Sequence, residues 1–257
     1  MVLQITKICK SFGGLQALSD VTFSINKGEI FGLIGPNGAG KTTMFNVITS
    51  MFPATSGDIV CLGEKLNGIK PHIITKMGIC RTFQNIRLFP QLTALENVMI
   101  GEHCRNKAGV WSSVLRTKAQ RREEANIKSK ARELLTFVGL ESYGEYASEN
   151  LSYGQQRRLE IARALASDPQ ILLLDEPAAG MNETETNDLF LLIKKIQSQG
   201  ITVLLIEHDM PLVMKLCDRI AVLNFGVKIA EGTPEEIQNN PEVIEAYLGS
   251  EEEDLYA

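Results

Sequence analysis

Along this chain, short continuous apolar runs alternate with stretches in which apolar residues recur at helical spacing. Residues 5–8 and 17–25 have the pattern of short strands, and residues 29–35 form a continuous apolar run that ends in glycine. After a glycine-rich loop, apolar residues recur at helical spacing up to Pro53, namely Met44, Phe45, Val47, Ile48 and Met51. The pattern therefore predicts a buried strand, a loop and a helix in succession.

The remainder of the chain divides into a helical part and an α/β part. Residues 91–166 have mostly helical patterning. Farther along, predicted strands and helices alternate, with strands at 171–174, 202–207 and 219–223 and helices at 184–197 and 211–216. Alternation of this kind is typical of a parallel sheet covered by helices. We expect an α/β fold with an inserted helical lobe.

Composition limits the class of protein. The chain has 257 residues, of which 44% are hydrophobic and 22% charged, and this suits one globular catalytic unit. We expect no membrane span, because no apolar run approaches about 20 residues. The N-terminus does not resemble a secretion signal, and the five cysteines form no C-x-x-C pair, so we expect a cytoplasmic protein with reduced thiols. A net charge of −5 disfavours nucleic-acid binding.

One loop matches the phosphate-binding pattern in both spacing and context. It follows the predicted strand at 29–35, precedes a helix, and reads Gly35-Pro36-Asn37-Gly38-Ala39-Gly40-Lys41-Thr42. Glycines let backbone N–H groups converge on phosphates, and a helix N-terminus adds partial positive charge. Lys41 would neutralise the γ-phosphate, and Thr42 would offer its hydroxyl to Mg²⁺. Thr43 is included among the predicted nucleotide-binding residues.

Two carboxylates follow the apolar strand at 171–174. Ligands of parallel α/β sheets bind at the carboxyl edge, so Asp175 and Glu176 are predicted to lie beside the phosphates. Asp175 is the candidate for holding Mg²⁺ through a water molecule, and Glu176 is the candidate general base for the attacking water. Exposed acidic residues at strand ends are also common without function.

A third motif, Leu151-Ser152-Tyr153-Gly154-Gln155, precedes a helical segment at 157–166. Ser152 and the Gly154 backbone would then lie at a helix N-terminus, which is suited to anions. Taken alone, such a motif is more often a simple helix cap.

Together, these motifs resemble the ATP-binding cassette (ABC) family, because the phosphate loop, the 151–155 signature, Asp175-Glu176 and His208 occur in the family's order. The resemblance implies a P-loop NTPase fold: a RecA-like core at 1–90 and 167–257, an N-terminal antiparallel β portion and a helical subdomain at 91–166, all in one ATPase domain. It also implies ATP and Mg²⁺ as cofactors.

Further roles rest on the resemblance. It makes Phe12 the aromatic residue that stacks on adenine, Gln84 the residue that contacts Mg²⁺ or the lytic water, and His208 the contact to the γ-phosphate. Because two cassettes pair head to tail in this family, Ser152, Gly154 and Gln155 are expected to complete the partner's ATP site. Two positions depart from the common family pattern: Tyr153 replaces glycine and Asn182 replaces aspartate.

A narrower resemblance, to the larger ATPase of branched-chain amino-acid importers, extends along the whole chain. It is carried by 81–89, 175–182, 206–210 and 246–249, and by 102–122, which is similar to that subunit's extra segment. It implies partners: two membrane permease chains, a second ABC ATPase, and indirectly an extracytoplasmic binding protein. It also implies a location on the cytoplasmic face of the membrane. The segment 85–95 is predicted to be a loop that docks on the permease.

Two other functions fit a phosphate loop. A soluble ABC-type ATPase acting on ribosomes or DNA would usually carry two cassettes or a long coiled-coil insertion. A GTPase switch would want an Asn-Lys-x-Asp base reader, and Asn26-Lys27-Gly28-Glu29 lacks the aspartate and precedes the loop. We rank the transporter subunit above both.

Overall fold

An antiparallel sheet begins the chain in the computed structural model, which describes residues 1–102 and 118–254, with side chains for 1–102 and 122–247. Strand β1 (Leu3–Phe12) pairs with β2 (Leu15–Ile25) and with β4 (Ser56–Cys61), and β4 also pairs with β5 (Glu64–Lys65). The predicted N-terminal antiparallel portion is therefore confirmed. It includes β4, which the sequence reasoning missed because its polar residues break the apolar pattern.

The chain divides into two units. The first contains Met1–Ile74 and the chain from Leu173 onward, and the second contains Thr75–Leu172. Helix α2 (Pro71–Lys76) and strand β7 (Ile171–Asp175) lie where one unit gives way to the other along the sequence.

A mostly parallel sheet forms the centre of the first unit. Its strands run in the order β10 (Val227–Gly232), β9 (Arg219–Asn224), β3 (Ile30–Ile34), β8 (Thr202–Ile206), β7. Strand β3 is parallel to β8 and β9, whereas β10 is antiparallel to β9. Every residue of β3, β7 and β8 is buried, as expected for strands covered on both faces. The α/β prediction is confirmed.

Five helices lie wholly in the described part of the first unit. They are α1 (Lys41–Ile48), α6 (Glu183–Ser198), α7 (Met210–Leu216), α8 (Pro234–Gln238) and α9 (Pro241–Asp254). Asn182 and Asp209 accept backbone N–H groups in the first turns of α6 and α7. Helix α1 is shorter than predicted, because Ser50 adopts a left-handed conformation with φ of 53° and Met51 lies beyond the helix.

In the second unit, helices α3 (Ala94–Glu102), α4 (Lys118–Phe137) and α5 (Tyr153–Leu165) follow the short strand β6 (Ile79–Arg81). The prediction of mostly helical structure over 91–166 is wrong for 138–152, where turns and two 3₁₀ segments, Glu141–Tyr143 and Ser148–Asn150, separate α4 from α5. Gly139, with φ of 74°, ends the helical stretch. Most of the 102–122 segment lies outside the described residues.

Among the described residues, no helix combines the length and apolar character that a membrane span requires. The cysteines among the described residues form no disulfide: Cys9, Cys61, Cys80 and Cys217. Burial raises the pKa of Cys61 to about 11 and that of Cys217 to about 12, so both stay protonated at neutral pH. Cys104 lies outside the described residues.

Candidate functional site

A cavity of about 620 Å³ lies over the predicted phosphate loop in the first unit. Its walls include the predicted residues Phe12, Asn37, Gly38, Ala39, Gly40, Lys41, Thr42, Thr43 and Glu176. They also include Leu15, Gln16, Ala17 and Phe225, for which the sequence reasoning assigned no role. The structure thus brings the loop, the strand-end carboxylate and the proposed stacking aromatic to one cavity.

Two glycines of the loop are required by its path. Gly35 has φ of 148°, and a Cβ there would lie 2.0 Å from the carbonyl oxygen of Leu223. Gly40, the N-cap of α1, has φ of 100°, and a Cβ there would lie 2.8 Å from the carbonyl oxygen of Ala17. Any side chain at these positions would move the loop away from its neighbours.

Lys41 is buried at the start of α1, and its ammonium group binds the loop itself. Its Nζ donates to the carbonyl oxygens of Gly35 at 2.6 Å and Pro36 at 2.9 Å. Burial lowers the pKa of Lys41, while the nearby carboxylates of Glu176 and Asp175 oppose that shift. The cation is therefore held by neutral acceptors in a partly desolvated position, where an anion would bind it strongly.

The strand-end acids lie in the same unit as the loop. Asp175 is buried at the end of β7, and Glu176 follows it in a left-handed conformation with φ of 45°. The backbone N–H of Glu176 donates to the carbonyl oxygen of Ile206 at 2.9 Å, which anchors this residue to β8. A non-glycine residue in this conformation is strained by about 1–3 kcal/mol, and such strain clusters at active sites.

His208 follows β8 and lies beside Glu176. Its Nδ1 is 3.9 Å from Oε2 of Glu176 and 3.8 Å from Oε2 of Glu207, and its side chain is 63% exposed. The structure therefore brings together the two residues that the sequence reasoning named as base and γ-phosphate contact.

Glu207 is a buried residue that the sequence reasoning left without a role. Its carboxylate accepts the backbone N–H groups of Ala178 at 2.8 Å and His208 at 3.1 Å. Burial raises its pKa, against the effect of these hydrogen bonds. Glu207 thus ties the loop after Glu176 to the loop that carries His208. The signal in the sequence that could have indicated this role is an acidic residue directly after an apolar strand.

The aromatic side of the cavity is held by its neighbours. Phe12 is 41% exposed, its ring forms a T-shaped pair with that of Phe52 with 5.4 Å between the centroids, and Nζ of Lys10 lies 4.6 Å from the Phe12 centroid. Phe225 is 77% exposed at the turn between β9 and β10. The next residue, Gly226, donates its N–H to the carbonyl oxygen of Ala39 at 3.1 Å, which fixes this turn to the phosphate loop.

The signature motif lies in the second unit and forms a complete helix cap. The hydroxyl oxygen of Ser152 accepts the N–H of Gln155 at 3.4 Å, and Oε1 of Gln155 accepts the N–H of Ser152 at 2.9 Å. Helix α5 therefore begins at Tyr153, earlier than predicted, and Gly154 is buried in its first turn. The cap is observed, and an anion-binding role for these residues stays a prediction.

Gln84 lies in a loop whose backbone is bound by buried side chains of the second unit. Arg157, fully buried on α5, donates from its guanidinium to the carbonyl oxygens of Phe83 at 2.6 Å and Gln84 at 2.7 Å. Farther along, Nδ2 of Asn97 donates to the carbonyl oxygen of Phe89 at 3.1 Å, and the N–H of Phe89 donates back to Oδ1 at 2.9 Å. The predicted loop ends at Thr93, because Ala94 begins α3.

Comparison with known proteins then decides the family. The family model described as ABC transporter matches residues 18–179, which include the loop, the signature and the strand-end acids. The chain belongs to the ABC transporter family. Its members hydrolyse ATP to power transport, so this cassette is an ATP-binding ATPase. A second model, described as branched-chain amino acid ATP-binding cassette transporter, matches residues 227–253 of the cassette.

Relatives and solved structures agree with this assignment. The cassette is 46% identical over 249 residues to the high-affinity branched-chain amino acid transport ATP-binding protein LivG of Salmonella typhimurium, covering 96% of the cassette and 98% of LivG. It is similar to a solved nucleotide-free ATP-binding cassette from an ABC transporter, with a TM-score of 0.84, 35% identity and coverage of 96% and 98% of the two chains.

A dimeric post-hydrolysis cassette, MJ0796 bound to ADP and Pi, also matches the cassette, with a TM-score of 0.76, 29% identity, and coverage of 90% of this chain and 98% of that one. The predicted fold and ABC family are confirmed by these comparisons. The roles of individual site residues stay predictions.

Proposed function

We propose that this cassette energises import of branched-chain or other apolar amino acids as one ATPase domain, with its core at 1–90 and 167–257 and its helical subdomain at 91–166. The observation that carries the proposal is the cavity over the phosphate loop, where Lys41 and Glu176 meet, in a chain similar to LivG along nearly its whole length. The substrate class rests on that similarity, since no residue of this site reads the cargo.

The first unit binds ATP and performs hydrolysis in this proposal. Residues 35–43 surround the phosphates with backbone N–H groups, and Lys41 exchanges its loop carbonyls for phosphate oxygens. Phe12 stacks on adenine, which is worth about 1–3 kcal/mol. Glu176 accepts the proton of the attacking water. His208 contacts the γ-phosphate, and its Nδ1 is 3.9 Å from Oε2 of Glu176.

The donor set at the loop fits Mg²⁺. Thr42 is exposed and lines the cavity, and the charge of the Asp175 carboxylate acts to raise the pKa of Lys41 in the same cavity. Hydroxyl and carboxylate oxygens are hard ligands of the kind that Mg²⁺ takes together with phosphate oxygens. Thr42 and Asp175 would hold the ion. Gln84, in the second unit, keeps its predicted contact to Mg²⁺ or the lytic water as part of the proposal. When bound, Mg²⁺ would neutralise charge that develops on the transferred phosphoryl group.

A second cassette completes each ATP site. Ser152, Gly154 and Gln155 present the capped N-terminus of α5, and the proposal places them on the partner cassette's γ-phosphate. Similarity to the dimeric cassette MJ0796 supports the pairing. The partner is a second ABC ATPase or a second copy of this chain.

The proposed membrane partners are two permease chains, reached from the cytoplasmic face, with an extracytoplasmic binding protein delivering cargo. The loop 85–95 docks on the permease. Phe89 is 47% exposed there, although Asn97 and Ser148 hold its backbone. An exposed aromatic side chain on a fixed backbone suits a partner surface.

The hydrolytic role is tested with Glu176→Gln. We expect ATP binding to be retained and turnover to fall at least about 100-fold, because an amide cannot accept the proton of the attacking water. The control is Glu64→Gln, an exposed acid of β5 outside the cavity, which should hydrolyse ATP normally. Near-normal turnover of Glu176→Gln would remove Glu176 from the base role.

The transport role is tested by purifying the cassette from its native membranes with attached partners. Recovery of two permease chains and a second ATPase, with uptake of leucine, isoleucine or valine after reconstitution, is the expected result. Recovery on ribosomes or DNA instead would overturn it.

For the docking loop, Ile86, Leu88 and Phe89 would be changed singly to serine. Normal assembly and cargo-stimulated ATPase activity in all three variants would exclude docking there.

A further inference from the structure

A buried ion pair on α5 binds both carbonyl and N–H groups of residues 83–87, the segment that contains Gln84. The Arg157 guanidinium reaches two successive carbonyl oxygens with its two terminal nitrogens, those of Phe83 and Gln84. Glu160, one helical turn later, accepts the N–H groups of Phe83 at 3.4 Å and Arg87 at 3.3 Å through Oε1. Its Oε2 pairs with Nη1 of Arg157 at 3.0 Å. We refer to Arg157 and Glu160 as the clamp.

Stability alone does not require these two charges. Buried ion pairs contribute little net stability compared with apolar residues of the same size, because desolvation offsets their attraction. What an ion pair with a planar fork provides is a fixed geometry. Arg157 sets the orientation of the peptide groups on both sides of the Gln84 Cα, while the Gln84 side chain remains exposed.

The clamp also contacts the signature. Nη2 of Arg157 donates to the hydroxyl of Tyr153 at 3.2 Å, and the guanidinium carbon lies 5.9 Å from the Tyr153 ring centroid. Tyr153 is the first residue of α5 and the signature position that departs from the common family glycine. The same guanidinium therefore touches a signature residue and the backbone of Gln84.

We infer that Arg157 and Glu160 are positioning residues that hold Gln84 in register with the signature helix, with Tyr153 as a part of the clamp. This inference rests on the proposed function for the catalytic role of Gln84. In this arrangement, a displacement at the start of α5 moves the Gln84 backbone with it. The segment and the signature then act as one rigid piece.

The structural arm of the test is amide hydrogen exchange of the full-length chain. Arg157→Lys keeps the charge but replaces the planar fork of two terminal nitrogens by a single nitrogen on a shorter side chain, and Glu160→Gln keeps the shape but loses the ion pair. In both variants we expect faster exchange at Phe83 and Arg87, by about tenfold or more, with unchanged exchange in β3 and β8. Arg158→Lys is the matched control, since Arg158 makes no hydrogen bond to 83–87 in the described structure.

The functional arm is steady-state ATP hydrolysis. We expect Arg157→Lys to lower kcat about 10- to 100-fold with KM within about twofold, because a small misplacement of Gln84 affects the transition state more than ATP binding. In a Gln84→Ala background, Arg157→Lys should add little further loss. Tyr153→Phe, which removes only the hydroxyl, should give a smaller decrease of the same kind.

The outcomes separate this inference from the proposed function. Unchanged exchange at Phe83 and Arg87 in Glu160→Gln, or equal kcat in Arg157→Lys and Arg158→Lys, would overturn the clamp. Additive losses in the double variant would also overturn it, because they indicate a general structural defect. A Gln84→Ala variant with normal kcat would instead reject the proposed role of Gln84. Glu160→Gln is nearly isosteric, so it remains informative where Arg157→Lys folds poorly.

Discussion

Lys41 in the first unit and Arg157 in the second are both buried cations, and they differ in what binds them. In the first unit, Lys41 donates to neutral carbonyl oxygens of its own loop, and burial lowers its pKa. In the second unit, Arg157 pairs directly with the carboxylate of Glu160 and binds two further carbonyl groups. The first cation lies at an open cavity, whereas the second is enclosed by protein.

The difference separates a binding residue from a positioning residue. A desolvated lysine held by neutral acceptors gains much of its missing stabilisation when an anionic ligand arrives. An arginine with a carboxylate partner has that stabilisation already and loses it when either partner is removed. Substitution of Arg157 should therefore lower the stability of the ligand-free protein, whereas substitution of Lys41 should lower the stabilisation by ATP.

The largest expected effect is on the stability of the ligand-free protein. Arg157→Met should lower the free energy of unfolding by about 3–5 kcal/mol, because Glu160 is left buried without its cation. Lys41→Met should change it by less than about 1 kcal/mol, because the cost of desolvating the ammonium is removed together with its hydrogen bonds. Denaturant unfolding of both variants without nucleotide measures this contrast. Equal losses would erase the distinction.

When ATP is added, the larger effect should come from substitution of Lys41 rather than of Arg157, and it should be on the stabilisation that the ligand provides. At about 100 times the Kd, ATP should stabilise the wild-type chain by about 2.7 kcal/mol. Lys41→Met should lose most of that gain. A Lys41→Met variant that is stabilised by ATP like the wild type would contradict the assignment of Lys41 to the phosphates.

Glu207 provides an intermediate case, a buried acid that binds backbone N–H groups. Glu207→Ala should cost about 3 kcal/mol of unfolding free energy, since the N–H groups of Ala178 and His208 would lose their acceptor. Glu207→Gln retains an acceptor oxygen and avoids a buried charge, so its loss should be clearly smaller. Thermal unfolding of the pair provides the comparison, and equal losses would show that the charge itself is needed.

A smaller effect is expected on nucleotide affinity. Phe12→Ala should weaken ATP binding by about 1–3 kcal/mol, while Phe12→Trp should preserve it, because stacking needs an aromatic face. Phe225→Ala, at the more exposed aromatic of the same cavity, should weaken binding less. Titration with a fluorescent ATP analogue measures each Kd. A larger loss in Phe225→Ala would move the base to the other side of the cavity.

The smallest effect concerns Asn182, which caps α6 through Glu185. Asn182→Asp should change stability by less than about 0.5 kcal/mol, because both residues are good caps, whereas Asn182→Ala should cost about 1 kcal/mol. Thermal unfolding distinguishes them. An Asn182→Asp variant as unstable as Asn182→Ala would show that charge is excluded at this helix end.

The sequence predicted the parts of the site that are contiguous along the chain. The phosphate loop, the acids at the end of β7 and the cap at Ser152 each depend on neighbouring residues, so spacing alone indicated them. His208 and Phe12 needed the family resemblance, because a lone histidine or aromatic residue carries no pattern. In the structure, Phe12 lines the cavity of the first unit, and His208 lies beside Glu176.

Other features depend on contacts between residues far apart in sequence. Arg157 contacts residues 73 and 74 positions away, and within a helical pattern it cannot be distinguished from a solvated arginine. Phe225 lines the cavity from a turn whose next residue, Gly226, is hydrogen-bonded to Ala39. Strand β4 was missed since its pairing with β1, rather than its own apolar pattern, stabilises it.

The left-handed backbone of Glu176 sets stability against activity at a single position. A glycine there would adopt φ of 45° without the strain that glutamate carries, and asparagine would carry less of it. A screen that selects only for thermal stability should therefore enrich Glu176→Gly or Glu176→Asn, and each of these loses the proton acceptor. Selection for function works in the opposite direction and retains a locally unfavourable backbone. Directed evolution of a more robust cassette thus has to hold this codon constant while the rest of the gene varies.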